Sequence, residues 1–400
     1  MTIRKKATHA AKKRRVPEKG KTPSIHAVSL SKPSFTDEDL EIITQRIKET
    51  LISGWLTSGP LVKSLEDQFA RFVGTREAVA LNSCTAGLHA VLLALGVKSG
   101  GEVIVPSDTF VATANVAVYV GARPVFADSD SNTFNISPEE IRRKISPKTK
   151  AIITVHLAGN PCNMNEIIEI AKDHNVPLIE DCAHAHGAMY RGSRCGTFGV
   201  AGVFSFYPTK IVTAAEGGMI TTNDAALAQK ARVVRNHGRA AFGPAEIVDL
   251  GYNYRLSEIH AAVGLAQFKH INAFISLRNK LAKIYNRELV KIKWIKPQLV
   301  ENGNLCSYYT YAVKLTEEAP LNRDALMQFL KNKGIEASVM YHPVHLQPYY
   351  MRLYGHKKGE LPVAEELGNS GLALPLHNRM KAEDVRIVVT ALREASEESG

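Results

Sequence analysis

Beginning near residue 78, short apolar runs alternate with helical stretches, and this alternation limits the fold more than any other feature of the chain. AVAL (78–81) precedes a helical pattern over Thr85–Leu95, and EVIVP (102–106) precedes another over Phe110–Val120. Further apolar runs fall at 124–127, 151–155, 176–180, 203–206 and 218–222, with helical patterns such as 164–172 and 224–235 between several of them. A strand covered on both faces needs no polar alternate positions, and parallel neighbours need a crossover long enough for a helix. The pattern therefore predicts an α/β chain with a largely parallel sheet and helices on both faces. Ligands of such sheets collect beyond the carboxyl ends of the strands. The residues with the most chemistry in them fall mostly there.

The flanks read differently. Thr36 followed by Asp37, Glu38 and Asp39 predicts a helix start, and Leu40, Ile43, Ile47 and Leu51 continue at helical spacing. Gly54, Gly59 and Pro60 interrupt it before a second short helix over Leu61–Phe72. A long helical region covers about 257–290. Strand-like SYYTYAVKL (307–315), a helix at 322–333 and a last helix from 382 then predict a smaller α+β unit packed with the N-terminal helices. The expected division is a basic tail at 1–28, N-terminal helices and a large α/β domain at 29–270, and a small α+β domain at 271–400.

The formal charge of +11 would point to nucleic acid if it were spread over the chain. It is not. Residues 1–22 carry nine Lys or Arg against Glu18 alone, a net +8, which leaves +3 for everything else. This stretch has almost no large apolar residues to offset its ordering entropy, so it is expected to be disordered. The nearly neutral remainder argues against nucleic acid as the main partner. No apolar run approaches the roughly 20 residues of a membrane helix. Five scattered cysteines without a Cys-x-x-Cys pair argue against a disulfide framework or zinc site, so no metal is expected and a cytoplasmic location is.

Five segments carry candidate chemistry, and each has a bland alternative. FSFYPTK (204–210) ends a strand and presents Lys210 in a loop; a desolvated amine there can add to an aldehyde, but most such lysines are solvated surface residues. IEDCAHAHGA (179–188) puts Asp181 at a strand end, where a carboxylate can hold a pyridinium proton, cap a loop, or join His184 and His186 around a metal. NSCTAGLHA (82–90) opens a helix with small residues, so Thr85 and its neighbouring amides offer a phosphate site or merely a cap, and Ser205 offers a second hydroxyl. SDTFVAT (107–113) places Phe110 to stack on a flat ring or to fill a core. GYNYR (251–255) reads as an interface or loop segment.

In combination these segments are specific. TSGPLVKSLEDQFA, SCTAGLHAVLLALGV, EVIVPSDTFVATANV, AIITVHLAGNPCNMNEI, IEDCAHAHGA, FSFYPTK, EGGMITTND and GYNYRLSEIHAAVGLAQ follow in order between Gly54 and Gln267, with YHPVHLQPYY and LALPLH beyond. The chain so read resembles the DegT/DnrJ/StrS family of sugar aminotransferases, within the fold-type-I pyridoxal-phosphate enzymes. The resemblance implies that Lys210 carries pyridoxal 5'-phosphate as a Schiff base and later moves the proton, with Asp181 on the pyridine nitrogen. It implies Thr85, Ala86 and Ser205 at the phosphate, Phe110 on the ring, and His184 near the phenolic oxygen, where the family has Gln or His. Asn253 resembles the residue that reaches the neighbouring subunit's cofactor phosphate, which implies a homodimer with shared active sites.

The implied reaction transfers an amino group, with glutamate as donor, to a nucleotide-linked keto-6-deoxy sugar. Relatives that are dehydratases have histidine where this chain has Lys210, which argues against that chemistry. A carbocyclic ketone such as an inosose remains an alternative acceptor, and a sensor or nucleic-acid binder using the basic tail an alternative class. His342–His345 (HPVH) is a candidate lid over the sugar. Two departures from the family stand out: Ala214 and Ala215 replace the usual Thr-Gly or Gly-Gly before EGG, and Gly87 replaces a frequent alanine. Both are expected to alter loop pose around the substrate.

Overall fold

The structure is a computed structural model that describes residues 27–241 and 246–397. The expected tail therefore lies outside the described residues up to position 26. Its last residue does not belong to it: Val28 is buried, donates its N–H to the Gly334 carbonyl at 2.9 Å and accepts from Glu336 N at 2.9 Å. The tail boundary moves back accordingly, because an apolar side chain at 28 has a core to enter.

A seven-stranded sheet forms the centre. Its strands are β1 (Glu77–Leu81), β2 (Glu102–Pro106), β3 (Arg123–Ala127), β4 (Thr149–Val155), β5 (Leu178–Asp181), β8 (Ala201–Ser205) and β9 (Gly218–Thr222), with a hairpin of β6 (Met189–Tyr190) and β7 (Ser193–Arg194) outside it. The spatial order is β1-β9-β8-β5-β4-β2-β3. Only β9 runs against the others, pairing antiparallel with both β1 and β8. The apolar runs are strands because every residue of β8 and β9 is buried, as are four of five in β1 and β2. A smaller antiparallel sheet has the order β10-β11-β13-β12, from Ile295–Pro297, Tyr311–Leu315, Gly371–Leu374 and Ser338–Val339.

Helices α1 (Asp37–Ser53) and α2 (Pro60–Val73) lead into the sheet, α3 (Cys84–Ala94), α4 (Ala112–Tyr119), α5 (Pro138–Lys144) and α6 (Met164–Asp173) connect its strands, and α7 (Ala225–Arg235) follows its last strand. Then follow α8 (Glu258–Phe268), α9 (Ile271–Leu289), α10 (Arg323–Asn332), α11 (Pro348–Tyr354), α12 (Pro362–Ser370) and α13 (Ala382–Glu397). Helices α1 and α2 pack on α8. Thr36 and Asp39 make the reciprocal capping box at the start of α1.

Three local departures have physical causes. The long helical region expected over about 257–290 is two helices, α8 and α9, with a break between them. The two residues at the break, Lys269 and His270, both turn to Asp39 Oδ1, at 3.0 and 2.9 Å, which adjacent positions of a continuous helix would not do. Helix α2 begins at Pro60 after Gly59, which has no side chain to cap it. Glu258 of α8 does so instead, accepting from the amides of Gly59, Leu61 and Val62 at 2.8, 2.7 and 3.0 Å. Of SYYTYAVKL only Tyr311–Leu315 is strand. The preceding turn is gripped by Arg278 of α9, whose Nη1 donates to the carbonyls of Tyr308, Tyr309 and Leu376 at 2.8 to 3.0 Å.

Candidate active site

A cleft of about 420 Å³ opens beyond the carboxyl ends of the central strands. Six of the eight expected residues line it: Thr85, Phe110, Asp181, His184, Ser205 and Lys210. Ala86 and Asn253 do not. The Ala86 amide is already used, donating to the Ser83 Oγ that caps α3 at 3.1 Å. Asn253 is exposed outside the cleft, its carbonyl 3.4 Å from the Asn82 side chain.

Asp181 ends β5 and is buried. Its Oδ2 accepts from Thr113 Oγ1 at 2.9 Å and its Oδ1 from Ala183 N at 3.0 Å. Burial pushes its pKa up, while these two bonds and the Lys210 charge pull the other way. No Lys or Arg among the described residues forms an ion pair with it, so the cleft holds a desolvated carboxylate in want of a cation. His184 accepts the Ala158 N–H on Nδ1 at 3.3 Å, which leaves the ring hydrogen on Nε2, facing the Tyr341 hydroxyl at 3.3 Å. Burial first, then the Lys210 and His186 charges, hold its pKa well below the usual value. It is a neutral hydrogen-bond donor. Ser205 ends β8, and the turn after it returns Lys210 N to Tyr207 O at 3.0 Å. Phe110 precedes α4 with 59 % of its surface exposed, an open aromatic face at the mouth.

Among the cleft residues not singled out from the sequence are Thr113, Tyr309 and Tyr341. Thr113 anchors Asp181, and its one signal was its place in SDTFVAT, a turn beyond Phe110. Tyr309 stacks on His184 at 4.1 Å, and Tyr341 bonds it. Both come from the smaller sheet's neighbourhood, and spacing along the chain carried no trace of them.

The close approach of the elements explains one departure, Gly87. A Cβ at Gly87 would stand 2.6 Å from Val203 of β8, so this position serves the packing of α3 on the sheet and not the substrate. A Cβ at Gly218 would meet the Ser83 carbonyl oxygen at 2.3 Å, which keeps the start of α3 tight on β9. Ala215 sits at φ +66°, a left-handed conformation costing an L-residue about 1–2 kcal/mol. That cost accounts for the glycine common there. The lid expected from HPVH is also corrected. His345 is fully buried, with Nδ1 2.7 Å from Ser107 Oγ and Nε2 3.2 Å from Glu365, so it braces the structure. Only His342 is exposed, on a neighbouring cleft of about 780 Å³ that shares Thr109, Phe110 and Tyr341 with the first.

Asp108, beside this boundary, is buried with one carboxyl oxygen unpartnered. Burial and then Asp128 push its pKa up to about 8. An acid that holds its proton more tightly when folded stabilises the fold at low pH. That contribution is lost as pH rises from the ordinary value of 3.8 through about 8. Asp108→Asn cannot ionise. Its melting temperature is expected to exceed wild type by a few degrees above the raised pKa and to show no advantage near the ordinary one. Equal shifts at both ends would assign the effect to something other than charge.

The one metal-capable group among the described residues is His156, Glu180 and Cys195, all buried. Its hydrogen bonds are internal: Glu180 takes His156 Nε2 at 3.1 Å and the amides of Gly196, Phe198 and Gly199 at 2.7 to 2.9 Å.

The cleft fits pyridoxal phosphate. It offers an amine for the aldehyde, a desolvated carboxylate for a cationic ring nitrogen, a neutral donor for the phenolic oxygen, and hydroxyls at a helix N-terminus for the phosphate. Comparison with known proteins agrees. Residues 37–393 match the DegT/DnrJ/EryC1/StrS aminotransferase family model. The chain is 37 % identical over 368 residues to the GDP-perosamine synthase of Caulobacter vibrioides, covering 91 % of this chain and 97 % of that one. Helicobacter pylori PseC, an aminotransferase involved in pseudoaminic acid biosynthesis, superposes with a TM-score of 0.87 at 29 % identity, covering 93 % of this chain and 100 % of that one. A putative sugar aminotransferase from Streptococcus pneumoniae in its PLP form does so with 0.87 at 28 % identity, covering 94 % and 100 %.

Proposed function

Since the chain belongs to the DegT/DnrJ/EryC1/StrS aminotransferase family, whose members depend on pyridoxal phosphate, we propose that it aminates a nucleotide-linked keto-6-deoxy sugar with glutamate as the donor. The observation that carries this reading is the meeting of Lys210 and Asp181 in one cleft beside a neutral His184. The GDP-perosamine synthase similarity supports a nucleotide sugar as the acceptor.

When bound, pyridoxal phosphate supplies an electron sink and a carrier for the amino group. Lys210 would be the residue that holds it covalently, and its free amine would be the group that moves a proton to and from the carbon bearing nitrogen. Asp181 holds the ring nitrogen protonated, with Thr113 and Ala183 N fixing its two oxygens. His184 donates from Nε2 to the phenolic oxygen. Thr85, Ser205 and the amides that open α3, Ala86 included, receive the phosphate, and Phe110 covers the ring. Taking up the phosphate requires the Ser83 cap on Ala86 to yield or share its donor. Among the described residues no helix is long and apolar enough to cross a membrane, which is compatible with work in the cytoplasm.

The test is a panel of nucleotide-linked keto sugars offered with glutamate, the products identified by mass. Amination of inososes and of no nucleotide sugar would replace this reading with the carbocyclic one.

A homodimer with shared sites is part of the proposal. Asn253 is exposed and does not line its own cleft, and Ile247, Val248 and Leu250 nearby are 56 to 70 % exposed, which favours a covered surface. Lys210→Ala and Asn253→Ala homodimers should each be poor at limiting cofactor. Mixing them makes about half the dimers mixed, each with one intact site if Asn253 serves the partner. Activity should then return to roughly a quarter of wild type. No recovery in verified mixed dimers would place Asn253 within its own subunit.

A further inference from the structure

Tyr309 lines the cleft and has no task in the reaction as described. It comes from the segment leading into β11 of the smaller sheet, whereas Lys210 and His184 follow strands of the larger one. Its ring lies nearly parallel to His184, 4.1 Å away at 15°. Lys210 Nζ stands over the same ring, 4.3 Å from its centroid. A face stacked that closely has no room for an ammonium as well, so the two neighbours take opposite faces.

The rest of Tyr309 is tied in place. Its hydroxyl shares a hydrogen bond with Thr209 Oγ1 at 2.8 Å, its N–H donates to Ala158 O at 2.9 Å, and its carbonyl accepts from Arg278 Nη1 at 3.0 Å. Arg278 also donates from Nε to Asn378 Oδ1 at 2.7 Å, and Asn378 Nδ2 donates to the carbonyl of Ile211 at 2.9 Å. Ile211 follows Lys210. The ring and the lysine backbone therefore hang from one buried frame.

We propose that Tyr309 is a positioning residue for Lys210, its open face serving as the seat on which the ammonium rests whenever the free amine carries a proton. An aromatic face attracts a cation through its quadrupole, and a neutral amine far less. The long lysine stem, which would otherwise sample many rotamers, is kept within the cleft. The titratable groups whose charges couple to Lys210 are Asp181, Cys84, His184 and His186. All four remain in the variants below, so a difference among those variants reports the ring.

The inference rests on Lys210 as the cofactor-bearing amine, but its test reads the seat without cofactor. The cofactor-free chain is acylated with acetic anhydride, whose carbonyl the unprotonated amine attacks with loss of acetate, and labelling of Lys210 is measured by mass against exposed Lys148 as internal standard. Tyr309→Leu should label Lys210 about fivefold faster than wild type, and Tyr309→Phe, which keeps the face and loses the Thr209 bond, should stay within about twofold. In the holoenzyme the Leu variant should lose about tenfold in kcat with little change in KM for the keto sugar, and Phe should recover most of that loss. Should Tyr309→Leu fail to fold, Tyr309→Met gives the same comparison. Unchanged labelling of Lys210 without the aromatic face overturns the proposal, as does a Phe variant that labels as fast as Leu. A borohydride label on another lysine would instead overturn Lys210 as the cofactor-bearing amine, and the two failures are separable.

Discussion

Lys210→Ala is expected to leave a folded protein that no longer holds its cofactor covalently and turns over at least a hundredfold to ten-thousandfold more slowly, the range general acid–base catalysis alone supplies. Among the described residues Lys210 is the one lysine lining the cleft, so no neighbour can substitute. Borohydride reduction of the wild type should add the cofactor's mass to the peptide containing Lys210, and the variant should show no labelled lysine. The fold should survive, because the ammonium rests on a ring face and makes no ion pair among the described residues. A label at any other lysine would show that the catalytic amine has been misassigned.

Asp181→Asn should have two effects of opposite sign. In the cofactor-free chain the carboxylate is buried and its pKa raised, burial being the largest cause. For an acid, a raised folded pKa means that stability falls as pH climbs from the ordinary carboxylate range through the folded value. Asparagine removes that penalty and can keep both hydrogen bonds, accepting from Ala183 N and turning its amide to Thr113. The cofactor-free variant should therefore melt no lower than wild type at neutral pH. Turnover should nonetheless fall by at least a hundredfold, about 2.7 kcal/mol at 1.36 per factor of ten, because an amide cannot hold a ring proton by charge. Near-normal turnover would remove Asp181 from the reaction. A lower melting point would show that the carboxylate is needed for packing.

The two predictions concern residues that sequence alone had placed, and the reason is local. Asp181 ends, and Lys210 follows, a strand buried along its whole length, and such strands announce themselves as largely apolar runs. The sheet was legible for the same cause. What the sequence concealed was what crosses between distant segments. Thr113 meets Asp181 from 68 positions away, and Thr209 meets Tyr309 from 100. The misread lid belongs here too: His345 finds Ser107 at a separation of 238 and Glu365 at 20, and a histidine with two buried partners looks from its neighbours alone like any loop histidine. The division into a tail, a large and a small domain was set by charge and periodicity, and Val28 escaped it because a single apolar residue gives no pattern.

The cap on α2 has a consequence for how the chain comes into being. Its carboxylate lies 199 positions after the amide of Gly59 that it receives. At roughly 5–20 residues per second, a ribosome needs about 10–40 s to make the stretch between them. Throughout that interval the first turn of α2 has no acceptor, and its apolar stripe of Val62, Leu65 and Phe69 has no α8 to lie against. Helix α2, made early in synthesis, is thus among the last to become permanent. A nascent chain stopped short of Glu258 should expose this stripe to a protease or a chaperone, and one that has passed α8 should hide it.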